Sequence, residues 1–166
     1  MSYRVDLTRV EALHTAVIRA RVAPKELARF VPAACGEVWS FIRGPGLPTP
    51  GRHLALYLDA EGSIECGVEV SAPFTGNARI VCSHTPGGLV ATTPHLGPYH
   101  LLCDAHRAVQ NWCSDHGHRV TGVSWELYGH WKDEWNSDPS KILTNVYYLI
   151  QTEEAKPGLP SLIYSI

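Results

Sequence analysis

Two tetrapeptides carry most of the chemistry this sequence can offer. Leu54-Ala55-Leu56-Tyr57 and Trp125-Glu126-Leu127-Tyr128 share a pattern and lie 71 residues apart. Each reads as a strand, and strand side chains alternate between faces. Leu54, Leu56, Trp125 and Leu127 are therefore expected on one face, the one that helices cover. Ala55, Tyr57, Glu126 and Tyr128 are expected on the other. Should the two copies meet across a two-fold axis, that second face is a hollow with two tyrosines and a single carboxylate. A carboxylate among aromatic rings carries a large hydration penalty. It either holds a proton or takes a cation beside it. Aromatic faces attract the same cation, by about 0.5–2 kcal/mol per well-placed ring. The plain alternative is that Glu126 is a solvated residue on an open sheet face.

Other candidates are weaker. His95 and Tyr99 flank the start of a helix, where unpaired N–H groups and the positive dipole end favour anions. They read as a groove edge that hydrogen-bonds a ligand, or equally as a structural turn with a packed tyrosine. Cys103-x2-His106 and Cys113-x2-His116 have the look of metal half-sites. On one helix, though, the two pairs point in different directions, and no second half-site follows. No metal is expected, and these residues read as packed thiols beside surface imidazoles. Trp131 and Trp135, in a polar loop, form a lid over the hollow or anchor the loop to the sheet edge. Ser83 and Ser124 lack a Gly-x-Ser-x-Gly setting, so no nucleophilic triad can be assembled. No axial haem ligand stands out, and no cofactor is expected.

The elements that must hold these residues are legible in outline. Residues 3–22 alternate loosely and read as two strands broken near Glu11–His14. Pro24-Lys25-Glu26-Leu27 opens a helix, since proline suits the first helical position. Leu27, Val31, Ala34, Val38 and Phe41 follow at helical spacing, with Pro32 predicting a kink or a late start. A Gly/Pro-rich loop over 44–51 ends it. His53–Leu58 and Ile64–Val70 read as a hairpin, and Ala78–His84 and Leu89–Thr93 as a second one. A helix opened by Pro94 or Pro98 runs to about His116, with Leu102, Ala105, Val109 and Trp112 as its core stripe, and Gly117 ends it. Strands are expected at Thr121–Gly129 and Leu143–Gln151. The result is a repeat, about 15–71 and about 78–151, with a tail over 156–166. Two βαββ units imply an α+β fold: a pseudo-two-fold antiparallel sheet with both helices on one face.

Composition bounds the rest. The chain has 166 residues, 45% apolar and 18% charged, which suits one domain spanning 1–166 and excludes disorder over most of it. Its net charge of −2 provides no dominant cationic face for a generic nucleic-acid binder. No run approaches the ~18 uninterrupted apolar residues of a membrane span, and no apolar signal core follows Met1. Five cysteines without a framework spacing read as reduced thiols in a cytoplasm. Five Trp, seven Tyr and nine His are the unusual counts, and such aromatics fill a core or line a cavity.

The motifs together have a familiar form. Thr93-Pro94-His95-Leu96-Gly97-Pro98-Tyr99 before a helix, then Gly122-Val123-Ser124-Trp125-Glu126-Leu127-Tyr128-Gly129, resemble the GyrI-like small-molecule-binding domain. This is also the effector-binding domain of AraC-type and MerR-type multidrug regulators. The resemblance runs from about Val17 to Gln151 and takes in Ala55-Leu56-Tyr57, the Thr85-Pro86-Gly87-Gly88 turn and the final strand Thr144–Leu149. It implies two βαββ units around a central groove that receives cationic or lipophilic ligands. It implies that Glu126 is the pocket glutamate and that Tyr57, Tyr128 and Tyr147 are aromatic walls, with Tyr148 as the neighbour that competes with Tyr147. Ala55, His95 and Tyr99 complete the expected ligand contacts. Some members open the cyclopropane of DNA-alkylating natural products, which would make Glu126 and Tyr128 catalytic. No helix-turn-helix segment is seen, so a stand-alone sensor or sequestration domain without direct DNA contact is expected. A protein partner or a homodimer is left open.

Overall fold

A computed structural model describes residues 2–152. The strands are β1 (Asp6–Val10), β2 (His14–Arg21), β3 (Pro50–Tyr57), β4 (Ser63–Val70), β5 (Val81–His84), β6 (Gly88–Leu96), β7 (Val120–Tyr128) and β8 (Leu143–Ile150). The helices are α1 (Leu27–Ile42), α2 (Leu102–Asp115) and the single-turn α3 (Glu134–Ser137). The tail expected over 156–166 lies outside the described residues.

Proline shapes both long helices. Pro24 and Pro98 each lead into a 3₁₀ turn, Pro24–Glu26 and Tyr99–Leu101, which runs directly into α1 or α2. The second helix therefore opens at Pro98 and not at Pro94. Pro94 lies inside β6, past the last residue that β1 pairs, so no ladder partner calls for the N–H it lacks. Pro32 is accommodated inside α1 at the loss of one backbone hydrogen bond, and the helix does not start late. The strand expected from Ala78 begins only at Val81, because the Asn77 side chain accepts from the Arg79 and Ile80 N–H groups and turns the chain there.

All strand pairs are antiparallel, in the order β1-β6-β8-β7-β3-β4-β2-β5. The unit β2-α1-β3-β4 and the unit β6-α2-β7-β8 thus mirror each other, with β3 and β7 paired at the centre. Leu54 faces Leu127, Ala55 faces Glu126 and Leu56 faces Trp125. That register is symmetric about the Ala55–Glu126 pair. The pseudo-two-fold axis passes between those two residues, and they are also equivalent in the repeat. The offset is not uniform along the chain: α2 begins 75 residues after α1.

Chain length forces the sheet to curl. β1 and β2 lie six strand positions apart. That would be about 29 Å in a flat sheet. Yet only residues 11–13 join them, a reach of about 15 Å. The link 85–87 between β5 and β6 imposes the same closure, and the two links meet where Thr85 exchanges hydrogen bonds with Leu13.

This curl reverses the expected faces. Leu54, Leu56, Val90, Trp125 and Leu127 form a buried cluster of their own, to which neither long helix contributes. They fill the inner, concave surface of the sheet. Both helices instead cover the face that carries Ala55, Tyr57 and Tyr128. Ala34, Cys35, Val38 and Ile42 of α1 pack there with β2, β3 and β4, and Leu102, Ala105, Val109 and Cys113 of α2 pack with β6 and β8. The strand alternation is as expected, but a curled sheet buries large residues without a helix, so size alone does not reveal the covered face.

One close approach fixes the bend of β4. A Cβ on Gly67 would lie 1.8 Å from the Ala16 carbonyl oxygen of β2. Gly67→Ala is expected to destabilise the fold by about 2–3 kcal/mol through backbone displacement, read as a lower urea midpoint at unchanged slope.

Candidate functional site

The two long helices flank the β3/β7 seam, and Glu126 sits in that seam. Its strand neighbours are Ala55 on β3 and Val146 on β8. Ala55 is fully buried and Glu126 is 6% exposed. An alanine opposite leaves room for the longer side chain, and two facing carboxylates would repel.

The carboxylate is enclosed by donors. Oε1 accepts from the Tyr57 hydroxyl at 3.1 Å and from the Tyr128 hydroxyl at 2.5 Å. Oε2 lies 2.6 Å from His106 Nε2. His106 Nδ1 lies 2.7 Å from the Tyr148 hydroxyl. With a neutral imidazole, the network assigns the proton to Nε2, which donates to Glu126, while Nδ1 accepts from Tyr148. None of the three groups bonded to the carboxylate carries a permanent charge. Rings complete the enclosure: Tyr57 and Tyr148 stand edge-on to His106, and Tyr99 stands edge-on to Tyr128 with centroids 5.6 Å apart.

Burial and the charge of Glu126 both raise the phenols. Tyr57 and Tyr128 are pushed far above the ordinary phenol value, by burial first and by the carboxylate second. Tyr148 is pushed up to about 12, chiefly by burial. All three remain protonated donors at neutral pH. Two thiols face the same region. Burial pushes Cys35 up to about 12 and Cys66 higher still, so both stay neutral. The Cys35 thiol points at the Leu54 and Gly67 carbonyls.

The expected residues divide. Tyr57, Tyr128, Ala55 and Glu126 come together, with Tyr99, half exposed, at the edge. Tyr147 does not join them. It pairs across the strands with Trp125 and stacks on that ring on the concave face, with centroids 5.1 Å apart. Tyr148, one residue on, takes the expected place, because alternation puts it on the face of Val146 and Glu126. His95 is also set apart. It is fully buried, with Nδ1 2.9 Å from the Tyr3 hydroxyl and Nε2 3.2 Å from the Pro98 carbonyl, so its ring nitrogens are occupied within the protein.

His106 is the residue that sequence reasoning misplaced as a surface imidazole. Its signal was position: it falls between Leu102 and Val109 on the buried stripe of α2. Cys103 beside it is exposed, and His116 stacks on Trp112, so the suspected half-sites do not converge. In the loop after β7, Trp135 is buried and Trp131 stands edge-on to it, half exposed. Trp135 thus anchors the loop.

A recess of about 430 Å³ adjoins the cluster, lined by Val22, Pro24, Leu27, Tyr57 and Ile64 with Arg21 at its side. Tyr57 belongs to both: its ring lines the recess and its hydroxyl holds Glu126. Whether the groove over Glu126 is open or lidded was not legible in the sequence. Its own side chains close the carboxylate, and the free volume lies beyond Tyr57.

No protein-family description and no curated protein matches the chain. Solved structures do. The EcmrR C-terminal domain superposes with a TM-score of 0.75 at 21% identity, covering 92% of this chain and 99% of that one. The match spans 58% of the EcmrR chain seen with DNA. SAV2435 bound to tetraphenylphosphonium gives 0.63 at 14% identity, covering 95% and 98%. A hydrolase from Listeria innocua gives 0.55 at 10% identity, covering 89% and 92%. The chain has the GyrI-like fold, as its resemblance implies.

Proposed function

We propose that this protein binds amphipathic, aromatic and often cationic small molecules at Glu126, as a sensor or a sequestering domain. One observation carries the reading. Among the described residues, a carboxylate 6% exposed is held by two phenols and an imidazole, with aromatic rings around it. Taking a carboxylate out of water is costly unless a cation or several donors compensate. These hydrogen-bond donors bring no permanent charge, which leaves the site a preference for a positively charged ligand. Tyr57, Tyr128 and Tyr148 add the quadrupole faces that a lipophilic cation meets. The recess behind Tyr57 is of a size that holds a drug-like molecule. Tyr57 is common to the recess and the carboxylate's hydrogen bonds. SAV2435, which shares the fold, is seen with tetraphenylphosphonium, a cation of this kind.

The test compares methyltriphenylphosphonium with triphenylphosphine oxide, which are alike in shape and differ in charge. In a fluorescence titration the cation is expected to bind at least ~10-fold more tightly. Equal affinities would overturn the reading.

The Glu126–His106–Tyr148 chain favours a second reading. It forms a proton relay that simple binding does not require. In a hydrolase opening a strained cyclopropane, Glu126 would take a proton from water while the hydroxide bonds to the ring carbon. The breaking C–C bond would leave its electron pair on a conjugated carbonyl, and a tyrosine hydroxyl would hydrogen-bond the oxygen that gains charge. Multiple turnovers of a cyclopropane-bearing alkylator, lost in Glu126→Ala, separate this from stoichiometric capture.

A further inference from the structure

We infer that Tyr99 sets the shape of the ligand: its ring fills the pseudo-two-fold counterpart of the Tyr57 recess, so the site takes a cation with aromatic bulk on one side of its charge and excludes a second aromatic arm. The inference deepens the ligand reading above and rests on it. Strand pairing defines the counterpart. Tyr57 pairs with Ile64 as Tyr128 pairs with Thr144, and Ala20 and His95 pair with those same two residues from the other side. Val22 and Gly97 lie two residues further on. Pro24 and Tyr99 begin the two 3₁₀ turns, and Leu27 and Leu102 begin the two helices. The apolar residues that line the recess thus have equivalents on the Tyr128 side of Glu126.

Three of these exchanges are unequal. Pro24, which lines the recess, is replaced by Tyr99, whose ring stands edge-on to Tyr128. Val22 is replaced by Gly97, which adds no side chain beside that ring. Ile64 is replaced by Thr144, fully buried and on the face that Tyr128 shares. The Thr144 hydroxyl has no hydrogen-bond partner among the described residues. An unpaired buried hydroxyl is costly, and it suits the Tyr128 side to an aromatic group that carries a polar atom.

Tyr99 is separable from charge recognition. It is 44% exposed, and its hydroxyl makes no hydrogen bond among the described residues. Tyr57 and Tyr128, by contrast, are both tied to Glu126. Truncating Tyr99 therefore removes a ring from one side of the site and leaves the hydrogen bonds of the carboxylate in place.

Benzyltrimethylammonium and dibenzyldimethylammonium carry the same charge and differ by one aromatic arm. In calorimetric titrations of the whole chain, the second arm is expected to change wild-type affinity by less than about 3-fold. In Tyr99→Ala it is expected to raise affinity about 10-fold, the lower range for burying one phenyl group. p-Cresol, the tyrosine side chain cut at Cβ, probes the same space without charge. It should bind Tyr99→Ala at least ~10-fold more tightly than wild type. Adding Thr144→Val should cost that binding about 3- to 10-fold, since the hydroxyl is lost. A second arm with the same effect in wild type and in Tyr99→Ala overturns the inference and leaves the ligand reading standing. So does p-cresol that binds the two proteins alike, and this titration decides alone where methyltriphenylphosphonium binds but neither ammonium does. Failure of all three cations to bind overturns the ligand reading, and this inference with it.

Discussion

Glu126→Gln is expected to weaken methyltriphenylphosphonium binding by about 30- to 100-fold, while triphenylphosphine oxide changes by less than about 3-fold. Removing the charge from one partner of a buried, hydrogen-bonded charge pair costs about 2–5 kcal/mol, and the lower end of that range sets the expected loss through about 1.4 kcal/mol per tenfold. The amide keeps the shape and most of the hydrogen bonds. Its oxygen can still accept from Tyr57 and Tyr128, which hold Oε1 in the native site. Its nitrogen cannot accept from His106, so a neutral imidazole in the other tautomer must serve as acceptor. The fold should therefore lose under about 1 kcal/mol, and a melting curve near wild type is part of the expected result. What disappears is the single full negative charge in the enclosure. The rings remain, so apolar and stacking affinity remains, and the neutral ligand reports it. Equal losses for the two ligands would show that Glu126 shapes the site without selecting charge, and the proposed function would then fail at its central step.

The repeat was readable because its strand motifs keep their spacing. Positions 55 and 126 match in the tetrapeptides, and the structure pairs them across β3 and β7. Gly/Pro punctuation placed both long helices, and alternation paired Ala55 with Tyr57 and Glu126 with Tyr128. Which side those pairs face was not readable. Leu54, Leu56, Trp125 and Leu127 look like residues under a helix, yet curling lets the sheet bury them against one another. That curl depends on two three-residue links between distant strands, a long-range constraint that no local pattern carries. Tyr147 and Tyr148 present the same difficulty: two tyrosines in one strand must face opposite ways, and only the register with β7 decides which meets Glu126. His106 was legible in principle, since a polar residue within a buried stripe needs a partner. Its partner lies on a strand 20 residues on, which helix periodicity does not show.

The face assignment has its own test, and Trp125 supplies it. Trp125 is next to Glu126 in sequence, but its ring is 3% exposed on the concave face, stacked on Tyr147 and packed in the cluster with Leu54 and Leu56. Trp125→Ala removes a large buried ring at the centre of the curled sheet, and the expected loss is about 3–5 kcal/mol of folding stability. That is a large share of the ~5–15 kcal/mol typical of a whole domain. Trp125→Phe keeps a ring there and is expected to cost less, about 1–2 kcal/mol, so it serves where the alanine variant fails to fold. Urea unfolding measures both. The ligand preference should not follow the stability. Trp125 and Glu126 point to opposite faces of β7, and the Trp125 ring packs with Leu54, Leu56 and Tyr147, so the ratio of cation to neutral affinity in folded Trp125→Phe should stay within about 2-fold of wild type. The opposite pattern, a lost charge preference with stability intact, would place Trp125 beside the ligand and Glu126 on the far side. Adjacent residues on one strand would then have exchanged roles, and the enclosure built around residue 126 would have to be rebuilt around residue 125.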